Sequence, residues 1–242
     1  MSKAASFLKC AAGLAVFMAT RSIGTAGSGV PGRPITVGVL NYAKVSPGIL
    51  VEAEKQARAV FHEAGVETKW IDCPLAGSRV DPGSCSDPPD FFLMILAKVM
   101  PDLPPSERYA LGFAFPCHRL AYMFYSRIEA MAADGDVTPS LVLGHVIAHE
   151  IGHLSLGPGH SPSGIMRTDW NRRDLQLASR QQLLFLPAQA KSLRAAISKA
   201  NLAAVEPASD RNRTEMKSGN CSGARIRIPP TGSCEPHGSA RI

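Results

Sequence analysis

From residue 35 the chain reads ITVGVLNYAKV, an apolar, β-branched run of strand length. Ser46-Pro47 follows, an N-cap with proline at the first helical position. Leu50, Ala53, Ala57, Val60, Phe61 and Ala64 then recur at helical spacing until Gly65 ends the helix. Residues 66–73 alternate, with Val66, Thr68 and Trp70 on one face, and predict a second strand. A loop dense in Pro, Gly, Ser and Asp runs to Asp90. Residues 91–97 form an unbroken apolar run, as expected of a strand covered on both faces. Residues 111–116 and 120–128 predict two more strands around a turn at 116–119. Thr138-Pro139 starts a second helix, and Gly157-Pro158 stops it. Its interior, LVLGHVIAHEIGHLSL, is apolar nearly all round, which predicts burial. After an irregular stretch a last helix spans about 187–205. Strand, helix, four further strands, buried helix, irregular segment and closing helix is the order of an α/β (α+β) sheet with helices packed on it.

The ends of the chain differ from this middle. Lys3 and Lys9 precede or border a short apolar core at 10–19, and small residues follow around Gly24-Thr25-Ala26. Residues 1–26 therefore read as an export signal peptide, and the expected location is secreted or periplasmic. The apolar stretch is about half the roughly 20 residues that a spanning helix needs, so no integral membrane association is expected. From about 206 to 242 the chain is polar and rich in Ser, Gly, Pro and Arg, a tail expected to be disordered. The domain expected to carry function is 35–205.

Across 242 residues, 45% are hydrophobic and 19% charged, enough apolar material for one domain with a buried core. The net charge of +6 falls to +3 if the signal leaves with Lys3, Lys9 and Arg21 and no acid. No basic run is interleaved with aromatics, so nucleic acid is not an expected partner. In an exported chain Cys73 and Cys85 flank one loop and Cys221 and Cys234 another, which predicts two disulfides and leaves Cys117 over.

The candidate chemistry lies in the buried helix, at His149-Glu150-Ile151-Gly152-His153. Residues four apart differ by about 40° around a helix, so both imidazoles face one side, a turn apart. Two nitrogens so placed can reach one zinc ion at about 2.0–2.1 Å. Glu150, about 100° further round, can stand beside the metal as a general base without ligating it. A catalytic zinc takes three protein ligands and keeps one position open. No glutamate occurs between 154 and 205, so the candidates for the third ligand are His160, Asp169 and Asp174. His160 is preferred because the break at Gly157-Pro158-Gly159 can turn the chain back under the metal. His145, one turn before His149, reads as a packed histidine or a support for the ligands.

The run HEIGHLSLGPGHSPSGIM, residues 149–166, resembles the active-site segment of the metzincin metallopeptidases, and its HEIGH and GHS portions look most like the matrixins. The resemblance implies His149, His153 and His160 as zinc ligands, Glu150 as the base and Met166 as the methionine of a tight turn beneath the metal. Six residues separate His153 from His160 where the family has five. The family fold implied is a twisted, mostly parallel sheet with an edge strand and a buried helix that carries the zinc motif. Residues 111–116 look like its cleft-edge strand, where a peptide or protein substrate in extended conformation would pair. Cys117 beside that edge is a bystander, a disulfide partner or a zinc-blocking thiolate.

The expectation is thus a monomeric, exported zinc metalloendopeptidase. Two alternatives remain at this point: a zinc amidase or peptidase whose third ligand is Asp169 or Asp174, and a secreted zinc-binding interaction module without turnover.

Overall fold

The computed structural model describes residues 33–75, 85, 88–99 and 109–205. The expected signal peptide, the tail and the Cys221–Cys234 pair lie outside the described residues. Five strands form one sheet: β1 Ile35–Asn41, β2 Thr68–Asp72, β3 Phe91–Leu96, β4 Gly112–Phe115 and β5 Leu120–Phe124. Their spatial order is β2-β1-β3-β5-β4. All neighbours run parallel except β4, the outermost strand, which is antiparallel to β5. The expected mostly parallel α/β sheet with an edge strand is what the chain forms.

Side-chain alternation along these strands builds two layers. Ile35, Val37 and Val39 of β1, with Phe91, Leu93 and Ile95 of β3, face the main core under the helices. Leu40 and Met94 face the other side, where Cys73 and Cys85 join a smaller cluster. Both faces of β3 are thus covered, which is why its sequence is continuously apolar. A disulfide links Cys73 to Cys85, as their flanking of one loop predicts.

Helix α1, Pro47–Glu63, begins with proline at its first turn and gives way to Gly65 at φ 75°. Helix α3, Pro139–Leu156, is capped by Thr138, whose hydroxyl accepts from the Leu141 N–H at 3.3 Å. It is buried without a break from Ser140 to His153. A helix placed centrally among α1, the sheet and the later helices has no solvent side, so it carries no polar stripe. Helix α5, Pro187–Val205, closes the domain. Among the described residues no helix is long and apolar enough to cross a membrane.

Two elements differ from expectation. The strand expected over 120–128 ends at Phe124, and helix α2, Tyr125–Gly135, begins at once. Its buried residues Tyr125, Ile128, Met131 and Ala132 follow helical spacing, but Phe124 offers no capping side chain. The change of period therefore falls inside one apolar run and leaves no start signal. The stretch read as irregular contains helix α4, Arg172–Ser179, opened by a capping box between Asn171 and Asp174.

Glu54 on α1 introduces a pH dependence. Burial first, and the neighbouring Asp72 second, push its carboxyl up from 4.5 to about 7. The folded chain therefore keeps this proton over a range where the unfolded chain has released it. Stability contributed by this group falls as pH rises from about 4.5 to about 7. Glu54→Gln should flatten that part of the stability profile and raise the melting temperature above pH 7, as read by thermal unfolding across pH.

Candidate metal centre

His149 and His153 sit one turn apart on α3, both fully buried. Their inner nitrogens are tied to main-chain carbonyls: His149 Nδ1 lies 2.7 Å from the Ile165 oxygen, and His153 Nδ1 3.2 Å from the Gly157 oxygen. A carbonyl only accepts, so each Nδ1 carries the hydrogen and donates it. Each Nε2 of the neutral ring then presents a lone pair. These two Nε2 atoms are 3.0 Å apart, and His160 Nε2 lies 3.2 Å from that of His153. Burial, and next the adjacent His153, hold the His149 imidazole well below its usual range, which keeps it neutral.

His160 arrives from beyond the helix end. Gly157 and Gly159, at φ 83° and 127°, adopt conformations closed to most side chains and reverse the chain after Leu156. The extra residue between His153 and His160 is absorbed in this glycine turn, and the exposed His160 ring still reaches the other two. Among the described residues, His149, His153 and His160 are the one group of such side chains whose ligand atoms converge, all within 4.8 Å.

The aspartates proposed as alternative third ligands do not join this group. Asp174 is buried in the α4 cap, accepting from the Asn171 N–H at 2.9 Å and pairing with Arg167 at 3.0 Å. Asp169 is exposed and outside the cluster. An aspartate-ligated site is therefore set aside. Asp174→Ala should cost about 1 kcal/mol of stability through the lost cap, with metal binding intact. Chemical denaturation beside a metal titration checks both.

Met166 occupies a tight turn in which the Arg167 N–H donates to the Gly164 oxygen at 3.2 Å. The turn is pinned from both sides, since Ser161 N–H donates to Met166 O at 2.9 Å and Ile165 N–H to Leu184 O at 2.9 Å. The buried thioether packs against Gly152, where an added Cβ would stand 2.6 Å from Met166 Sδ. Gly152 lies between the two helical histidines, so the turn underlies the helix face that bears them. The same turn supplies the Ile165 carbonyl to His149.

Glu150 is fully buried. A Cβ built on Gly112, the first residue of β4, would stand 2.8 Å from Glu150 Cγ and 2.9 Å from its Oε1. The carboxylate is thus held between α3 and the edge strand, in a gap only glycine leaves open. Trp170 packs edge-on against the first histidine, its ring 5.8 Å from that of His149 at 85°. Cys117, in the 3-10 turn Pro116–His118 after β4, is held in a disulfide, so it is neither left over nor a zinc-blocking thiolate. His145 donates to the Leu141 carbonyl at 2.8 Å and stays apart from the cluster.

Sequence reasoning missed Gly112 and the two carbonyl anchors. A main-chain oxygen leaves no trace in residue identity, and Gly112 stands between Ala110 and Ala114 with nothing local to single it out.

No protein-family model matches the chain, and the search of curated proteins found no match to it. Solved structures with some likeness to the chain are as follows. A zinc-dependent peptidase from Methanocorpusculum labreanum is 18% identical, with 65% of this chain and 99% of that chain covered and a TM-score of 0.45. An archaemetzincin from Methanopyrus kandleri is 16% identical over 68% of this chain and 96% of its own, with a TM-score of 0.45. Another, from Archaeoglobus fulgidus and complexed with malonate, is 16% identical over 66% and 99%, with a TM-score of 0.42.

Proposed function

We propose that the chain is an exported, zinc-dependent endopeptidase with a matrixin-like active-site segment, in which His149, His153 and His160 hold the metal and Glu150 is the base. The observation that carries this reading is the set of converging Nε2 atoms, two of them fixed as lone-pair donors by Nδ1–H bonds to Ile165 and Gly157. The Nε2 atoms of His149 and His153, both acceptors, face each other at 3.0 Å, a repulsion that a cation shared between them relieves. Nitrogens around a tetrahedral zinc lie about 3.3–3.4 Å apart at the usual bond length, so the trio needs little adjustment. Three imidazoles are also the donor set that zinc takes where a fourth position stays open.

Zinc bound there supplies a Lewis acid that polarises a scissile carbonyl and acidifies a water. The remaining work falls to the chain. Glu150, on the turn that bears the first histidine, takes the proton of the attacking water and returns it to the departing amine. Its burial against Gly112 restricts the carboxylate to one position, so little reorganisation accompanies the transfer. Strand β4 begins at that same glycine, and a substrate laid along β4 by main-chain hydrogen bonds has its peptide group brought toward Glu150. Trp170 and Met166 fix the ligand rings from the side and from below. The Cys73–Cys85 disulfide supports an oxidising compartment, in line with export.

The test is chelator-sensitive cleavage of a mixed peptide library by the full-length chain, with fragments read by mass spectrometry. Stoichiometric zinc without any cleavage would favour the secreted binding module instead. A finer test addresses the Glu150 cradle. In Gly112→Ala the new methyl meets Glu150 on one side and the Tyr122 main-chain oxygen, 2.9 Å away, on the other, so the carboxylate must move. Displacement of about 1 Å costs on the order of 100-fold in turnover. We expect kcat to fall by that order while zinc affinity is unchanged, as read by steady-state kinetics beside a zinc titration.

A further inference from the structure

Strand β4 is the outermost strand of the sheet, yet its main chain is shielded from water. The Phe124 N–H donates to the Leu111 oxygen at 2.9 Å, and in the antiparallel pairing with β5 such bonded pairs recur at every second residue. Phe113 and Phe115 therefore turn their N–H and C=O groups toward β5, and Gly112 and Ala114 turn theirs to the outer edge. An uncovered edge strand presents such groups to solvent. Gly112 is buried all the same, and Ala114 is 0% exposed. Among the described residues no strand runs alongside that edge.

A covalent tie is made at the same place. Cys117, two residues beyond β4 in the turn Pro116–His118, is exposed and held in a disulfide. Cys73 and Cys85 are bonded to each other, so its partner is Cys10, Cys221 or Cys234. Cys10 leaves with the signal peptide of an exported chain, which leaves the two tail cysteines. Sixteen positions separate Val205, where α5 ends, from Cys221. Extended, they span about 50 Å, against a radius of gyration of about 15 Å for a domain of this size, so the tail reaches β4. Between the tail cysteines the sequence runs Ala224-Arg225-Ile226-Arg227-Ile228, then Pro229-Pro230. Alternation of apolar and basic residues is the pattern of a strand with one covered face, and the prolines end it. Ala224 is three positions after Cys221 and Ile228 six before Cys234, so a bond at either cysteine brings this run to the edge.

We infer that residues 224–228, tethered by a disulfide from Cys117 to Cys221 or Cys234, lie along the outer edge of β4 as an added strand, in the place of an extended substrate. The main chain of the run satisfies the outward groups of Gly112 and Ala114. A tethered segment acts at a millimolar effective concentration, so an incoming peptide must displace it. This consequence for hydrolysis rests on the reading of the chain as an endopeptidase; the placement of the tail does not.

A non-reduced peptide map of the exported full-length chain should join Cys117 to Cys221 or Cys234. Hydrogen exchange should find the Gly112 and Ala114 amides protected, and about tenfold or more faster to exchange in Cys117→Ser and in Ile226→Pro. Ile226→Pro keeps every cysteine and breaks only the added strand, so the test stays decisive if Cys117→Ser folds poorly. In both variants kcat/KM on a peptide substrate should rise about tenfold or more, because the edge is then open to substrate. Cys117 joined to Cys10, a Cys221–Cys234 bond, or unchanged exchange at Gly112 and Ala114 in Ile226→Pro would overturn the placement. Unchanged kcat/KM in active variants whose edge has opened would overturn the occlusion. An opened edge with no cleavage by wild type or either variant would uphold the placement and count against the peptidase reading instead.

Discussion

Glu150→Gln should abolish peptide hydrolysis, lowering kcat by about 100- to 10,000-fold, while zinc remains bound with unchanged stoichiometry. The substitution keeps the shape of a fully buried side chain packed against Gly112, so neither the helix nor the histidines are disturbed. What it removes is an oxygen able to take a proton. The result separates a catalytic role from a structural one, because a merely structural Glu150 would show its loss in stability rather than in kcat. Steady-state kinetics, metal analysis and a thermal melt on the same preparation make the comparison. Retained activity in this variant would remove Glu150 from the reaction.

The second large effect is expected at the ligands. His149→Ala should weaken zinc binding by well over 100-fold, more than the loss of a supporting hydrogen bond, which costs about 10- to 100-fold. His149 is the most constrained of the three: it is fully buried, donates to Ile165 and stacks edge-on with Trp170. Zinc that binds only the folded chain adds about 4 kcal/mol of stability at a free concentration of 1,000 Kd. The wild-type melting temperature should therefore rise on adding zinc, and that of His149→Ala should not. Differential scanning calorimetry with and without zinc measures both.

Much of this arrangement is legible in the sequence because its determinants are local. Ser46-Pro47 and Thr138-Pro139 mark helix starts by chain chemistry alone, and the apolar run 91–97 announces a strand with two covered faces. The spacing of His149 and His153 places both rings on one side of α3 whatever surrounds it. The paired glycines 157 and 159 announce a reversal, and the reversal brings His160 to the other two. What escaped is tertiary or silent. Helix α2 begins inside an apolar run without a cap, and α4 is short and amphipathic amid charged residues. The choice among His160, Asp169 and Asp174 needed the fold, because only three dimensions show Asp174 already engaged by Asn171 and Arg167. The closeness of Gly112 to Glu150 joins positions 38 residues apart and depends on β4 lying at the sheet edge.

The measurement that bears most directly on the whole account is a zinc titration of the metal-free, full-length chain beside His160→Ala. The converging nitrogens predict one zinc per chain, and a loss of affinity of about 100-fold or more when the exposed third ring is removed. Absence of stoichiometric zinc, or equal zinc affinity in His160→Ala, would contradict the assignment of the histidine trio as the metal centre.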